Sequence, residues 1–220
     1  MIAAKQAGKK IIYLIAACMI AVPSYGVRGQ AVAQTVQDVV AGVEDHYREL
    51  VDLTARVVQK NDLRSVGRKQ IFDGLLWIKK PGKLRLEYTN GQLILVDGKA
   101  ALFYSRKSEQ AVRKTFTDFE HMNIPVAFLL GAAHIRDDFD VTQPDPGMPR
   151  MLELLPKKPG AAMKKLVLRT DEAGRIVGMT IFDKSGNTTE ITLSDAREGA
   201  GVDDKQFVFK APKGTEIIEQ

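Results

Sequence analysis

Cysteine is almost absent from this sequence of 220 residues, with Cys18 the only one. A lone cysteine forms no internal disulfide and no cysteine-based zinc site. Histidine is nearly as scarce, at His46, His121 and His134. No two of these stand at metal-ligand spacing, and no His-Glu-x-x-His motif occurs. A Gly-x-Ser-x-Gly elbow and a glycine-rich phosphate loop are missing as well. Asp137, Asp138 and Asp140 form an acidic cluster, but without the ordered spacing that a calcium loop needs, so a solvated strand entry is expected there. These absences point to a binding protein that holds no cofactor or metal and catalyses nothing.

Long apolar runs are also missing. The stretch from Ile11 to Val22 carries no charge, but a bilayer span needs about 20 residues. Lys5, Lys9 and Lys10 precede it, which makes a basic leader followed by an apolar region, the pattern of an export signal. Ala31-Val32-Ala33 is a small-x-small cleavage motif before Gln34. Residues 1–33 are therefore expected to be a signal peptide and 34–220 the folded domain. A second option is Ile15-Ala16-Ala17-Cys18, which resembles a lipobox and would leave an acylated Cys18 as the new N-terminus.

A charge excess is lacking once the leader is set aside. The leader holds four of the 32 basic residues and no acidic ones, so residues 34–220 carry 28 basic against 27 acidic, a net +1. Nucleic-acid binding requires a basic footprint, so that class is excluded.

What is present is pattern. Val36, Val39, Val40, Val43, Tyr47 and Leu50 follow the spacing of an amphipathic helix, predicted over about 35–51. The period then changes to two. Leu84, Leu86 and Tyr88 alternate with Arg85 and Glu87, the signature of a half-buried strand. Pro81-Gly82, Asn90-Gly91 and Asp97-Gly98 are turn signals between such runs. About six antiparallel strands are predicted in 53–115. Phe116, Phe119, Met122, Val126, Phe128, Leu129 and Leu130 then take helical spacing, interrupted by Pro125. This predicts two short helices over 117–135. Five more strands are predicted near 138–143, 150–156, 164–170, 175–183 and 187–194, then a final extended segment at Phe207-Val208-Phe209.

The predicted class is α+β, mainly β. A single antiparallel sheet of that size curls strongly, and an incomplete β-barrel with a helical lid encloses an apolar cavity suited to a greasy ligand.

The run Gly74 to Pro81, then Leu84 to Tyr88, Leu95-Val96-Asp97-Gly98-Lys99 and Phe103-Tyr104 resembles the LolA family of lipoprotein carriers. Val57 to Lys60 and Phe207-Val208-Phe209 with Pro212 and Gly214 extend the resemblance over about 35–218. It implies a soluble, monomeric periplasmic carrier. Such a protein accepts acylated lipoproteins from an inner-membrane ABC transporter and passes them to an outer-membrane acceptor. By position, Leu76, Ile78, Leu84, Leu86 and Tyr88 match the cavity face, and Val126, Phe128, Leu129 and Leu130 the lid. Lys80 stands where the family usually carries an arginine that latches the lid. Lysine keeps the charge but lacks the planar fork, so a latch at Lys80 is expected to be weaker than the family's. The alternative is a lipid-anchored acceptor or lipid-binding lipoprotein of the same fold, acylated at Cys18.

Overall fold

A computed structural model describes residues 35–116, 129–130, 135–158 and 163–220, all within one compact unit, Gln34–Gln220. The signal-peptide and Cys18 assignments lie outside the described residues, as do most of the two short helices expected around Pro125.

The amphipathic stretch forms α1, Val36–Glu49. Thr35 caps it: the Thr35 Oγ1 accepts from the Asp38 N–H at 3.2 Å, and the Thr35 N–H donates to the Asp38 carboxylate at 2.9 Å. This reciprocal box satisfies two amides that the helix leaves unpaired. Val39, Val40, Val43 and Tyr47 are buried on the opposite side from Asp45 and Arg48.

Six strands follow: β1 (Asp52–Leu63), β2 (Arg68–Lys79), β3 (Lys83–Tyr88), β4 (Gln92–Asp97), β5 (Ala100–Ser105) and β6 (Gln110–Thr115). A one-turn helix, α2 (Ile135–Asp138), leads into β7 (Phe139–Thr142), β8 (Met151–Pro156), β9 (Met163–Thr170), β10 (Ile176–Asp183) and β11 (Thr188–Glu198). The expected strands are all present, with ends shifted by a few residues. Two features at the C-terminus differ. Phe207 closes a 3-10 turn, Asp204–Phe207, and Val208-Phe209 join no strand; β12 (Glu216–Glu219) forms instead. Its sequence, Glu-Ile-Ile-Glu, has too few residues to reveal a period.

All twelve strands share one sheet, in the order β12-β6-β5-β4-β3-β2-β1-β11-β10-β9-β8-β7. Every pairing is antiparallel except β12 with β6. The sheet does not close: β7 and β12 are its free edges. It does curl, because Val112 on β6 and Ile181 on β10 line one common cavity. Both edge strands span four residues, and short edges offer little template for pairing with another chain.

α1 packs on the concave face. Its apolar side joins Leu152, Leu154, Leu166, Leu168 and Met179 in the main core. The Ile176 N–H donates to the Tyr47 hydroxyl at 3.3 Å. Gly174, in the β9–β10 turn, has φ +80° and approaches α1 so closely that a Cβ would sit 2.5 Å from the Gly42 carbonyl oxygen. Only glycine fits both requirements.

A second, smaller core lies on the convex face. After β11 the chain crosses back over β4 and β5, where Val202 and Phe207 pack on Leu93, Leu95 and Leu102. Asp52 anchors this strap: its carboxylate, 4% exposed, accepts from the Ala200 N–H at 2.6 Å and the Val202 N–H at 3.2 Å.

Candidate functional site: an apolar cavity on the concave face

Strand register organises the concave face into rows. The row at one end is Leu53, Ile78, Leu84, Val96 and Ala101, each opposite the next across β1 to β5. It is closed: Ile78 and Leu84 have no exposed surface and belong to the core. The next row runs Leu76, Leu86, Ile94, Phe103 and Val112 across β2 to β6. All five line a cavity of about 630 Å³, within the size range of small-molecule sites. The third row brings Leu193, Val57, Gly74 and Tyr88 together. Gly74 leaves space for the Tyr88 ring, since a Cβ there would lie 3.1 Å from a ring carbon and 2.6 Å from the Glu87 carbonyl oxygen. Phe72 meets Tyr88 with ring centroids 5.7 Å apart.

Towards the other end the walls turn polar. Gln59 lies between Ile191 and Phe72, and Asn61 between Thr189 and Gln70. The Tyr88 hydroxyl donates to Gln59 Oε1 at 2.6 Å, and Gln59 Nε2 donates to Asn61 Oδ1 at 3.0 Å. Burial pushes the Tyr88 hydroxyl up to about 12, so it stays protonated and remains a donor through the physiological range. Among the described residues no charged side chain lines the cavity. An uncharged, apolar floor with a hydrogen-bonding mouth can hide alkyl chains and satisfy the ester or amide groups that join them.

The expected site residues divide. Leu76, Leu86 and Tyr88 line the cavity; Ile78 and Leu84 share their face but lie in the packed closed end. Leu129 lines the cavity and Leu130 is buried in the same core, whereas Val126 and Phe128 lie outside the described residues. Lys80, at the closed end, donates from Nζ to the Leu130 carbonyl at 2.8 Å. Half-burial holds its ammonium below the usual lysine value, because removal from water disfavours the charged form.

Sequence reading missed the walls on β4 to β6. Leu93-Ile94-Leu95-Val96 is continuously apolar, so period two cannot show which residues face inward. The reason is the strap, which buries the outward Leu93 and Leu95.

His46 Nε2 lies 2.9 Å from the Glu198 carboxylate. Among the described residues no cluster of three or more histidine, cysteine or acidic side chains could hold a metal.

Comparisons with known proteins show the family and the fold. The chain is 30% identical over 155 residues to the outer-membrane lipoprotein carrier protein of Chromobacterium violaceum, covering 69% of this chain and 74% of that one. It is 28% identical over 157 residues to the protein of the same name from Chromohalobacter salexigens, covering 70% and 73%. The crystal structure of an uncharacterized conserved protein from Thermus thermophilus shares the fold, with a TM-score of 0.51 at 13% identity over 84% of this chain and 98% of that one. The family model described as outer membrane lipoprotein carrier protein LolA matches residues 48–210, well over half of the sequence, and this chain belongs to that family.

Proposed function

We propose that this protein is a monomeric periplasmic carrier. It binds the acyl chains of lipoproteins in the concave cavity and shuttles them from an inner-membrane ABC transporter to an acceptor at the outer membrane. The observation that carries this reading is the cavity itself: an alkyl-compatible floor in a chain of the LolA family, with no charged side chain among the described residues lining it. The physical need is large. Each exposed methylene costs about 0.8 kcal/mol, so leaving roughly 40 to 50 of them in water costs on the order of tens of kcal/mol. Leu76, Leu86 and Leu129 contribute apolar wall, and Val126 and Phe128 are assigned to the lid. Ile78 and Leu84 act as the packed end wall. Lys80 is assigned the latch.

Intact mass spectrometry of the protein from soluble and membrane fractions of its host tests this reading. An unmodified chain starting near Gln34, soluble and co-purifying with lipoprotein, is the expected result. A chain starting at an acylated Cys18 in the membrane fraction overturns the soluble shuttle and makes the protein a fixed acceptor or lipid-binding lipoprotein.

A further inference from the structure

The cavity mouth is ringed by hairpin tips. β1–β2, β3–β4, β5–β6 and β10–β11 all turn at the end where Asn61, Gln70, Ser108 and Thr189 line the cavity. These tips, residues 62–69, 89–91, 106–109 and 183–187, hold Arg64, Arg68, Lys69, Arg106, Lys107 and Lys184 against Asp62, Glu109 and Asp183. Six cations against three anions leave a local +3, whereas residues 34–220 together carry only +1. The turn into β12 adds Lys213 and Glu216, which cancel.

The pairing differs between these four tips and the closed end, although beyond the tips Lys158, where β8 ends, pairs with Asp138 at the mouth end. At the closed end, Lys79 and Lys83 both reach Asp204, and Arg175 binds Asp171. On the tips, the one ion pair among the described residues is Arg64 with Asp62, at 3.9 Å. Asp183 is occupied by its own turn, accepting from the Asn187 backbone and side-chain N–H groups. The β1–β2 hairpin also exposes aliphatic surface: Val66 at the tip is 64% accessible and Ile71, on β2, 65%.

We propose that the cavity mouth docks onto an anionic lipid bilayer, with the β1–β2 hairpin leading: its cations meet phosphate head groups and Val66 enters the interface. This goes beyond the carrier reading and requires no cargo. A bilayer suits the arrangement better than a protein partner does. The cations stand on separate tips around an open mouth, which matches a broad, diffuse negative surface. An acidic protein pocket calls for convergent, bidentate donors instead.

The test is co-sedimentation of the purified protein with vesicles of phosphatidylcholine, with and without phosphatidylglycerol. Binding is expected only to the anionic vesicles and to weaken as salt rises, since salt screens exposed charges. A cation near such a surface raises partitioning about fivefold, so replacing Arg64, Arg68 and Lys69 together by glutamine should lower it about a hundredfold. Val66→Ser should lower it independently of salt. Lys79→Gln with Lys83→Gln, at the closed end, should leave it unchanged. Uptake of an apolar fluorescent probe by each variant reads the cavity separately, so loss of docking with uptake intact is distinct from failure of the carrier reading. Equal binding to neutral and anionic vesicles, or full binding by the triple variant, overturns the proposal. So does absence of binding to the anionic vesicles, and a cross-link from the β1–β2 tip to an acidic envelope protein then assigns the mouth to a protein partner.

Discussion

Replacing Lys80 by methionine isolates a side chain that ties the β2 end to the Leu130 carbonyl. Methionine keeps the length of the alkyl stem and removes the donor. A hydrogen bond from a charged group contributes about 1.5–3 kcal/mol, and the ammonium's partial desolvation offsets some of that. A net contribution of about 1–2 kcal/mol follows, which makes the Leu129–Leu130 segment open roughly 5- to 30-fold more often. The assay is stopped-flow release of an apolar fluorescent probe from the cavity; release should quicken by that factor while far-ultraviolet circular dichroism stays unchanged. The pH dependence supplies an internal check. In the closed form Lys80 titrates below the ordinary lysine value because burial disfavours its charge. The burial penalty on the ammonium is present at low pH and is relieved as pH rises through the lowered value towards about 10.4, the ordinary value. Within that window the closed form binds fewer protons than the open one. Rising pH therefore favours closure, and release from the native protein should slow. In Lys80→Met the same pH change should have no such effect. Identical release rates and identical pH profiles in the two proteins refute a latch at Lys80.

Cavity wall and core wall should separate by substitution. Leu86→Arg, on the cavity face, should leave a folded chain that binds a triacylated lipopeptide at least tenfold more weakly in a fluorescence titration. Leu84→Arg, with no exposed surface, buries an unpaired charge and should cost about 3–5 kcal/mol, lowering Tm in calorimetry by roughly 10 °C or more. Gly174→Ala sets a Cβ 2.5 Å from the Gly42 carbonyl at φ +80° and should lower Tm by about 5–10 °C through a loss of about 2–3 kcal/mol. Asp52→Ala leaves the Ala200 and Val202 amides without their acceptor; limited proteolysis should then cut first within residues 199–210, and an unchanged cleavage pattern counts against the strap anchor.

Sequence and structure agree where one physical pattern dominates. The α1 stripe has a single buried side, so Val39, Val40, Val43 and Tyr47 declare themselves by spacing. β3 has one face inside and one outside over most of its length, and Leu84, Leu86 and Tyr88 alternate cleanly with Arg85 and Glu87. The agreement ends where two layers cover one strand. β4 is buried on both faces because the C-terminal strap packs outside it, and its continuous apolar run erases the period. Alternation also fixes which face a residue takes but not its depth along that face. Ile78 and Leu86 read alike, yet register with Leu53 and Leu84 places Ile78 in the sealed end and register with Ile94 places Leu86 in the cavity. Depth depends on long-range pairing, which no local signal carries.

The open sheet and the position of Lys80 fit a carrier that must release what it binds. A closed barrel would place a hydrogen-bonded seam around the ligand, and opening it would break strand pairing. Here the concave face is covered in part by Leu129, and its neighbour Leu130 accepts a hydrogen bond from Lys80, just past β2 at the closed end. One hydrogen bond contributes far less than the tens of kcal/mol set by the hydration of acyl chains, so a latch at Lys80 is expected to alter the rate of exchange without governing affinity. On the proposed carrier function, affinity is expected to reside in the row from Leu76 to Val112, which lines the cavity and whose area of contact would grow with chain length. The two quantities are therefore separable by mutation: substitutions along that row should change how much lipid is held, and substitutions at Lys80 how quickly it leaves.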